Sequence, residues 1–249
     1  MKKIVIIPAR YSSSRLPGKP LKDIAGLPMV VRVCQAVDAA QFDKVVVATD
    51  DERIEQVVRQ QGYSVVLTQP NHVSGTDRLQ EAAQKLSLAQ EDIVINLQGD
   101  EPLMPSGNLE QVASLLEANP HAAVATLYEP MAVNAYLANP NIVKLVTDNQ
   151  SRVLYFSRAG IPFDRDGIGS ADAVFKRHLG IYAYRKSALD RFVAYPEGSL
   201  EQLEKLEQLR FMEQGEVIVA EQADQPIPVG VDTEEDLNAV RAIFQEREQ

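Results

Sequence analysis

Apolar residues along this chain gather in short runs separated by amphipathic stretches. "IVII" (4–7), "KVVVAT" (44–49), "SVVLT" (64–68) and "DIVINL" (92–97) are rich in β-branched residues and almost without polar alternation. That is the pattern of strands buried on both faces. Between them, "PMVVRVCQAVDAA", "DDERIEQVVRQQG" and "TDRLQEAAQKL" repeat apolar residues at helical spacing. Asp50 or Asp51 can cap the second of these helices, and Gly62 sits at its end. Strand alternating with helix predicts an α/β protein whose mostly parallel central sheet carries helices on both faces. The second half is less regular. "SLLEANP" ends a helix, "AAVATLY" (122–128) and "KRHLGIYAYR" (176–185) read as strands, and 142–157 reads as a hairpin around Asp148-Asn149. "LEQLEKLEQLRFMEQG" (200–215) predicts one helix, "EVIVAEQ" a late strand and "TEEDLNAVRAIFQ" a closing helix. With no repeat, low-complexity tract or linker, one domain over 1–249 is expected.

Charge narrows the class of partner. The 249 residues carry a net charge of −10, which disfavours nucleic acid and anionic membrane surfaces, since phosphate backbones reward basic patches. The first 32 residues reverse the balance: Lys2, Lys3, Arg10, Arg15, Lys19, Lys22 and Arg32 face Asp23 alone. The single cysteine, Cys34, allows no intrachain disulfide and fits a small buried hydrophobe in a reducing compartment. The start "MKKIVIIPAR" begins like a signal peptide, but its apolar run is too short and ends at Pro8 and Arg10. No apolar stretch is long enough to span a bilayer. A cytoplasmic location is expected.

In an open parallel sheet, ligands bind beyond the carboxyl ends of the strands, so the loops after Ile7, Thr49, Thr68 and Leu97 are where chemistry is expected. The first is "IIPARYSSSRLPGKPL" (6–21). Its Arg10, Arg15 and Lys19, set among serines and Gly18, can hold a polyphosphate through charge-assisted bonds and backbone N–H groups. It matches neither the Walker A nor the GxGxxG pattern, and a solvated basic loop is the plain alternative. The fourth, "INLQGDEP" (95–102), places Asp100 one glycine beyond a buried strand. Mg²⁺ takes one or two protein carboxylates with substrate phosphates and waters, so Asp100 is a candidate ligand, with a turn or cap before Pro102 as its plainer role. Asp232 in "VGVDTEEDL" is either a second ligand or a helix N-cap. Thr233 could cap in its place. The D-x-D of "FDRDG" (163–167) lies between Pro162 and Gly167 and reads as a turn. Glu207 falls on the apolar side of its helix between Leu200 and Leu203, either flanking it or bonding a ligand. His178 and Tyr182 share a strand face and are either a satisfied core pair or, near Arg177 and Arg185, part of an acid-binding site.

Taken together, "IIPARYSSSRLPGKPL", "ATDDERI", "HVSGTDR", "NLQGDEP", "LYFSRAGIPFDRD", "RHLGIYAYR", "LEKLEQLR" and "GVDTEEDL" resemble the motifs of the CMP-Kdo synthetases in the order that family has them. These are the 3-deoxy-manno-octulosonate (Kdo) cytidylyltransferases. The resemblance runs essentially the whole chain. It implies a Rossmann-like nucleotidyltransferase fold and the reaction CTP + Kdo → CMP-Kdo + pyrophosphate. It also implies a Mg²⁺ cofactor, a cytoplasmic homodimer and a role in lipopolysaccharide biosynthesis. Carried over residue by residue, it puts Arg10, Arg15 and Lys19 on the CTP phosphates, and Ser74, Gly75, Thr76 and Gln98 on the nucleotide. Asp100 and Asp232 become Mg²⁺ ligands. Arg158, His178, Tyr182, Glu207 and Gln208 fall on the acid sugar, so that the region of about 130–215 supplies sugar and dimer contacts. Lys19, Asp100 and Arg10 are the expected catalytic residues. The resemblance does not separate Kdo from 8-amino-Kdo. Another acid-sugar cytidylyltransferase, and outside enzymes a catalytically silent nucleotide-binding module, are the rival readings.

Overall fold

A computed structural model describes residues 1–12, 16–72, 74–131, 137–166, 175–228 and 230–247. Among the described residues, eleven strands run in chain order as β1 (Lys3–Ala9), β2 (Asp23–Ile24), β3 (Leu27–Pro28), β4 (Lys44–Thr49), β5 (Ser64–Leu67), β6 (Ile93–Asn96), β7 (Val124–Met131), β8 (Lys144–Thr147), β9 (Val153–Ser157), β10 (Phe175–Arg185) and β11 (Ile218–Gln222). The helices are α1 (Met29–Gln35), α2 (Glu52–Gln60), α3 (Gly75–Lys85), α4 (Ser106–Ala118), α5 (Lys186–Ala194), α6 (Ser199–Glu204), α7 (Gln208–Glu213) and α8 (Glu234–Arg247).

Nine strands form one sheet with the order β11-β7-β10-β6-β1-β4-β5, and β8 and β9 join it through β10. Along that order only β10 runs against its neighbours: β6, β1, β4 and β5 are mutually parallel, as are β7 and β11. The continuous apolar runs have their reason in this layering. In β1, Val5 and Ile7 point to one face and Ile4 and Ile6 to the other, all at most 1% exposed. The first face packs on α1, α2, α4 and α8 through residues such as Val30, Ile54, Val112 and Leu237. The second packs on α3, α5 and α7 through Leu79, Phe192 and Phe211.

Three features depart from the sequence pattern. The hairpin β2–β3 and helix α5 were not anticipated. The single helix expected over 200–215 is two short ones. Its turn is broken at Lys205, whose backbone takes the left-handed conformation (φ 52°, ψ 49°). The break has a tertiary cause. Arg158 donates from Nε to the Glu204 carbonyl (2.6 Å) and from Nη2 to the Lys205 carbonyl (3.3 Å), while the Glu204 carboxylate accepts from Ser157 Oγ (2.6 Å) and the Arg158 backbone N–H (2.9 Å). Breaking the turn also lets Leu206 and Leu209 both reach the core while Leu203 is left 81% exposed. A bidentate pair, Arg210 to Glu201 (2.7 Å twice), then ties α7 to α6.

Candidate active site

The parallel strands β1, β4, β5 and β6 end along one edge of the sheet, and a cavity of about 540 Å³ opens there, at the place where open α/β sheets bind ligands. Its walls come from the loop after β1 (Arg10, Ser12, Lys19), the start of α3 (Ser74, Gly75, Thr76), the loop after β6 (Gln98, Gly99, Asp100), Tyr182 and Tyr184 on β10, the α6–α7 break (Lys205 to Gln208), and Asp232.

Lys19 is the junction of the site. Gly18, at φ 67°, turns the chain into a short 3₁₀ turn over Lys19–Leu21. This carries the Lys19 ammonium to Asp100 Oδ2 (2.6 Å), Asp232 Oδ1 (3.2 Å) and the Val231 carbonyl (2.9 Å). The two carboxylates lie far apart in sequence, one mid-chain and one near the C-terminus, and separate local devices set them. Asp100 is placed by Gly99, where an added Cβ would lie 2.6 Å from the Pro8 carbonyl oxygen. Only glycine lets the β6 loop pass this close to β1. Asp232 is placed because the Val231 N–H donates to the Asp100 carbonyl (2.8 Å) and because Thr233 supplies the cap of α8. Thr233 Oγ1 accepts from the Asp236 N–H (3.2 Å), and the Asp236 carboxylate accepts from the backbone N–H groups of Asp232 (3.0 Å) and Thr233 (2.8 Å). The cap leaves the Asp232 carboxylate turned to Lys19. Next to it, burial and the charge of Asp100 push the Glu101 carboxyl up to about 8.

The start of α3 forms the second wall. Ser74 and Asp77 make a reciprocal capping box, which takes up the Ser74 hydroxyl and points the first N–H groups of an 11-residue helix at the cavity. A Cβ on Gly75 would meet nothing within 4 Å. Thr76 Oγ1 donates to Glu207 Oε2 (2.8 Å) and so joins this wall to the α6–α7 break. Surrounding protein raises the Glu207 carboxyl above its ordinary range, against the Thr76 bond that lowers it, and nearby Asp77 and Glu201 add to the rise. On the floor, burial raises the phenols of Tyr182 and Tyr184. Both therefore stay protonated as hydrogen-bond donors. Asn96 Oδ1 is buried beside them and has no hydrogen-bond partner among the described residues.

A model of cytidylyltransferases matches residues 4–218. A protein from Cellvibrio japonicus, named 3-deoxy-manno-octulosonate cytidylyltransferase, is 50% identical over 248 residues, 97% of each chain. A protein of the same name from Saccharophagus degradans is 47% identical over 247 residues, covering 96% of this chain and 97% of its own. A solved structure of a CMP:2-keto-3-deoxy-manno-octonic acid synthetase in complex with CTP superposes with a TM-score of 0.90 at 42% identity, covering 99% of this chain and all of that one. The chain belongs to the cytidylyltransferase family.

Arg10, Lys19, Ser74, Gly75, Thr76, Gln98, Asp100, Tyr182, Glu207, Gln208 and Asp232 all line the one cavity. Arg15 lies outside the described residues. His178 is not on the cavity wall. Its ring packs edge-on to Phe156 (5.1 Å) and beside Tyr182 (5.2 Å), and Nε2 meets Thr126 Oγ1 at 3.0 Å. Arg158 also stands behind the wall, its guanidinium spent on the carbonyls of Glu204, Lys205 and Pro140. Three basic residues of the cavity carried no assigned role in the sequence. Arg78 is bound to Thr68 Oγ1 and to Asp50 Oδ2 (2.9 Å). His72 is held through Nε2 by Glu81. Lys205 is the third. Arg78 stood inside the quoted "SGTDR", and its position there was a usable signal. The Lys205 turn has no local sequence mark.

Proposed function

We propose that this cytidylyltransferase activates Kdo with CTP, forming CMP-Kdo and pyrophosphate, as a step in lipopolysaccharide biosynthesis. The observation that carries this is the full-length match, 42% identical, to a synthetase seen with CTP, on a chain whose matching cleft gathers a lysine and two carboxylates at one point. The anomeric hydroxyl of the sugar attacks the α-phosphorus. The new O–P bond forms as the bond to the β-phosphate oxygen breaks, and pyrophosphate leaves with the electron pair while the hydroxyl proton passes to solvent. Positioning and charge stabilisation dominate such a transfer. Arg10, Arg15 and Lys19 bind the β- and γ-phosphates and hold the charge of the leaving pyrophosphate. The α3 N-terminus, with Ser74, Gly75 and Thr76, and Gln98 orient the nucleotide. Tyr182, Glu207 and Gln208 hold sugar hydroxyls, and His178 fixes the ring of Tyr182.

The donor set fits a magnesium ion. Two carboxylates already converge on one cation, at 2.6 and 3.2 Å from the Lys19 ammonium, and Mg²⁺ asks for one or two such ligands beside substrate phosphates and water. Bound by Asp100 and Asp232, it would supply charge neutralisation at the α-phosphate and the attacking hydroxyl. In solution we expect a homodimer, with the β8–β9 hairpin as the contact because Leu154 on β9 is 59% exposed. No described helix is long and apolar enough to cross a membrane, and a cytoplasmic site of action suits the one cysteine, which is buried.

The test is pyrophosphate release with CTP and Mg²⁺, comparing Kdo, 8-amino-Kdo and a sialic acid, with ATP, GTP and UTP as controls. Rapid release with Kdo and CTP alone supports the reading. Preference for the amino sugar moves the substrate by one substituent. Silence with all three sugars despite CTP binding would overturn it in favour of a nucleotide-binding module.

A further inference from the structure

We infer that Tyr11 and Arg53 are positioning residues: a ring at the neck of the β1 loop and a guanidinium on α2 that braces it, together fixing the spacing of two cavity cations, Arg10 and Lys19. The inference rests on the proposed reading of that loop as the binder of the CTP phosphates, and adds what holds the loop in shape.

The neck is where the loop closes on itself. The Gly18 N–H donates to the Tyr11 carbonyl (3.3 Å). The Tyr11 ring lies against the same glycine, since a Cβ at position 18 would stand 3.2 Å from the phenol oxygen and 3.3 Å from two ring carbons. Arg10 precedes Tyr11 and Lys19 follows Gly18. Both of those cations line the cavity, whereas neither Tyr11 nor Arg53 does. The separation of the two cations is therefore set by how Tyr11 and Gly18 pack on each other.

The brace reaches the neck from another element. Arg53, in the first turn of α2, places its guanidinium over the Tyr11 ring, with Cζ 3.4 Å from the ring centroid. The guanidinium is itself fixed. Asp51 accepts from Nε (2.9 Å) and Nη2 (2.6 Å), and the same carboxylate caps α2 by accepting from the Arg53 backbone N–H (2.9 Å). The Asp51 N–H in turn donates to Thr49 Oγ1 at the end of β4 (3.3 Å). A continuous set of contacts thus runs from β4 through the cap of α2 to the ring at the neck.

Stability alone does not account for this arrangement. The Arg53 side chain is 58% exposed, and an exposed ion pair with Asp51 contributes little to folding. What the stacked guanidinium adds is a fixed position for Tyr11. A loop held in its binding shape before the ligand arrives spares the complex the cost of ordering it. The effect of the brace should therefore appear in CTP affinity and not in the melting temperature.

The experiment measures CTP binding by calorimetry and thermal melting. It compares wild type, Arg53→Met, Tyr11→Leu, Tyr11→Phe, and Arg53→Met combined with each Tyr11 change. Methionine keeps the stem of Arg53 without its charge. Leucine keeps an apolar contact at Gly18 without the ring face, and phenylalanine keeps the face. A cation–π contact at an exposed site corresponds to about a two- to fivefold change in an equilibrium constant. Arg53→Met should weaken CTP binding by that factor at an unchanged melting temperature. In the Tyr11→Leu background the same change should cost nothing further, and in the Tyr11→Phe background the cost should return. An equal loss in every background would make Arg53 a distant charge acting on the triphosphate directly, and would overturn the inference. So would no loss in Arg53→Met, or a melting temperature that falls with the affinity. If wild type itself binds no CTP, the failure belongs to the proposed function and takes this inference with it; the wild-type titration alone tells the two apart.

Discussion

Lys19→Met tests whether the two carboxylates at the mouth of the cleft are built for a cation. In the structure the ammonium lies 2.6 Å from Asp100 and 3.2 Å from Asp232. At an effective dielectric of 20, each contact is worth about 5 kcal/mol of gross attraction. Water removes most of that: the Asp232 side chain is 46% exposed and that of Asp100 28%, so the net hold falls to about 1–2 kcal/mol. A divalent ion arriving without nucleotide has to displace the ammonium and overcome that hold. Methionine keeps the length of the side chain and removes the competitor. Mn²⁺ should therefore bind the free variant about tenfold more tightly than wild type, the ratio that corresponds to 1.4 kcal/mol. CTP should bind it about 10- to 100-fold more weakly, because a charge-assisted phosphate contact is gone. Electron paramagnetic resonance of free Mn²⁺ reads the first number and calorimetry the second. Equal or weaker Mn²⁺ binding by the nucleotide-free variant would refute the reasoning, since the lysine would then not be occupying a cation's place.

Asp100→Ala should fold with a melting temperature close to wild type and lose turnover by orders of magnitude; near-normal pyrophosphate release would remove it from the catalytic set. Gly99→Ala forces a Cβ to within 2.6 Å of the Pro8 carbonyl, so the loop must shift and activity should fall far more than stability, as paired kinetics and thermal melts would reveal. Burial pushes the His178 imidazole from 6.5 down to about 3. The folded protein therefore resists protonation that the unfolded chain accepts, and His178 contributes stability above pH 6.5 that is lost as pH falls towards 3. In His178→Asn this part of the pH dependence should flatten in urea titrations, and an unchanged slope would count against a neutral buried ring. Phe156, fully buried against that ring, should cost about 3–5 kcal/mol when cut to alanine, measured by the same titrations.

What the sequence could and could not reveal follows from the range of the forces involved. β1, β4 and β6 were legible because a strand buried on both faces must be apolar at nearly every position, and no local alternative competes; β5, read from the same pattern, is instead the edge strand of the sheet, with Ser64 and Leu67 exposed and Val65 and Val66 half-buried. Asp51 caps α2 and Gly62 closes it (φ 80°), as local rules require. The cap that Asp232 could have provided is taken by its sequence neighbour Thr233. The α6–α7 break was not legible. Its periodicity, Leu200, Leu203, Leu206, Leu209, is good enough for one helix, and what defeats it is Arg158, some 47 residues upstream. The same distance hid the character of Arg158 and His178. The resemblance alone carried both to the sugar, strand register having left His178 as either a core pair or part of an acid-binding site; in the fold both stand one layer back, where a guanidinium holds three carbonyls and an imidazole packs against Phe156.

This layering bears on how the site keeps one ligand from another. The wall residues that touch the cavity come from short-range signals: a glycine, a capping box, an acid after a strand. Such signals are common to many nucleotide-binding folds, and they set the wall proposed for the triphosphate. The wall proposed for the sugar is held by a second set of side chains, Lys144, Ser157, Arg158 and Glu204, whose partners are mostly backbone carbonyls and N–H groups around the Lys205 turn. Carbonyl oxygens set in this way define a backbone path instead of a chemical group, so substitutions there would alter which sugar fits while leaving CTP binding intact. On the proposed reading, the Lys205 turn is a place where substitution can change the fit of the sugar without disturbing the loop proposed for the phosphates.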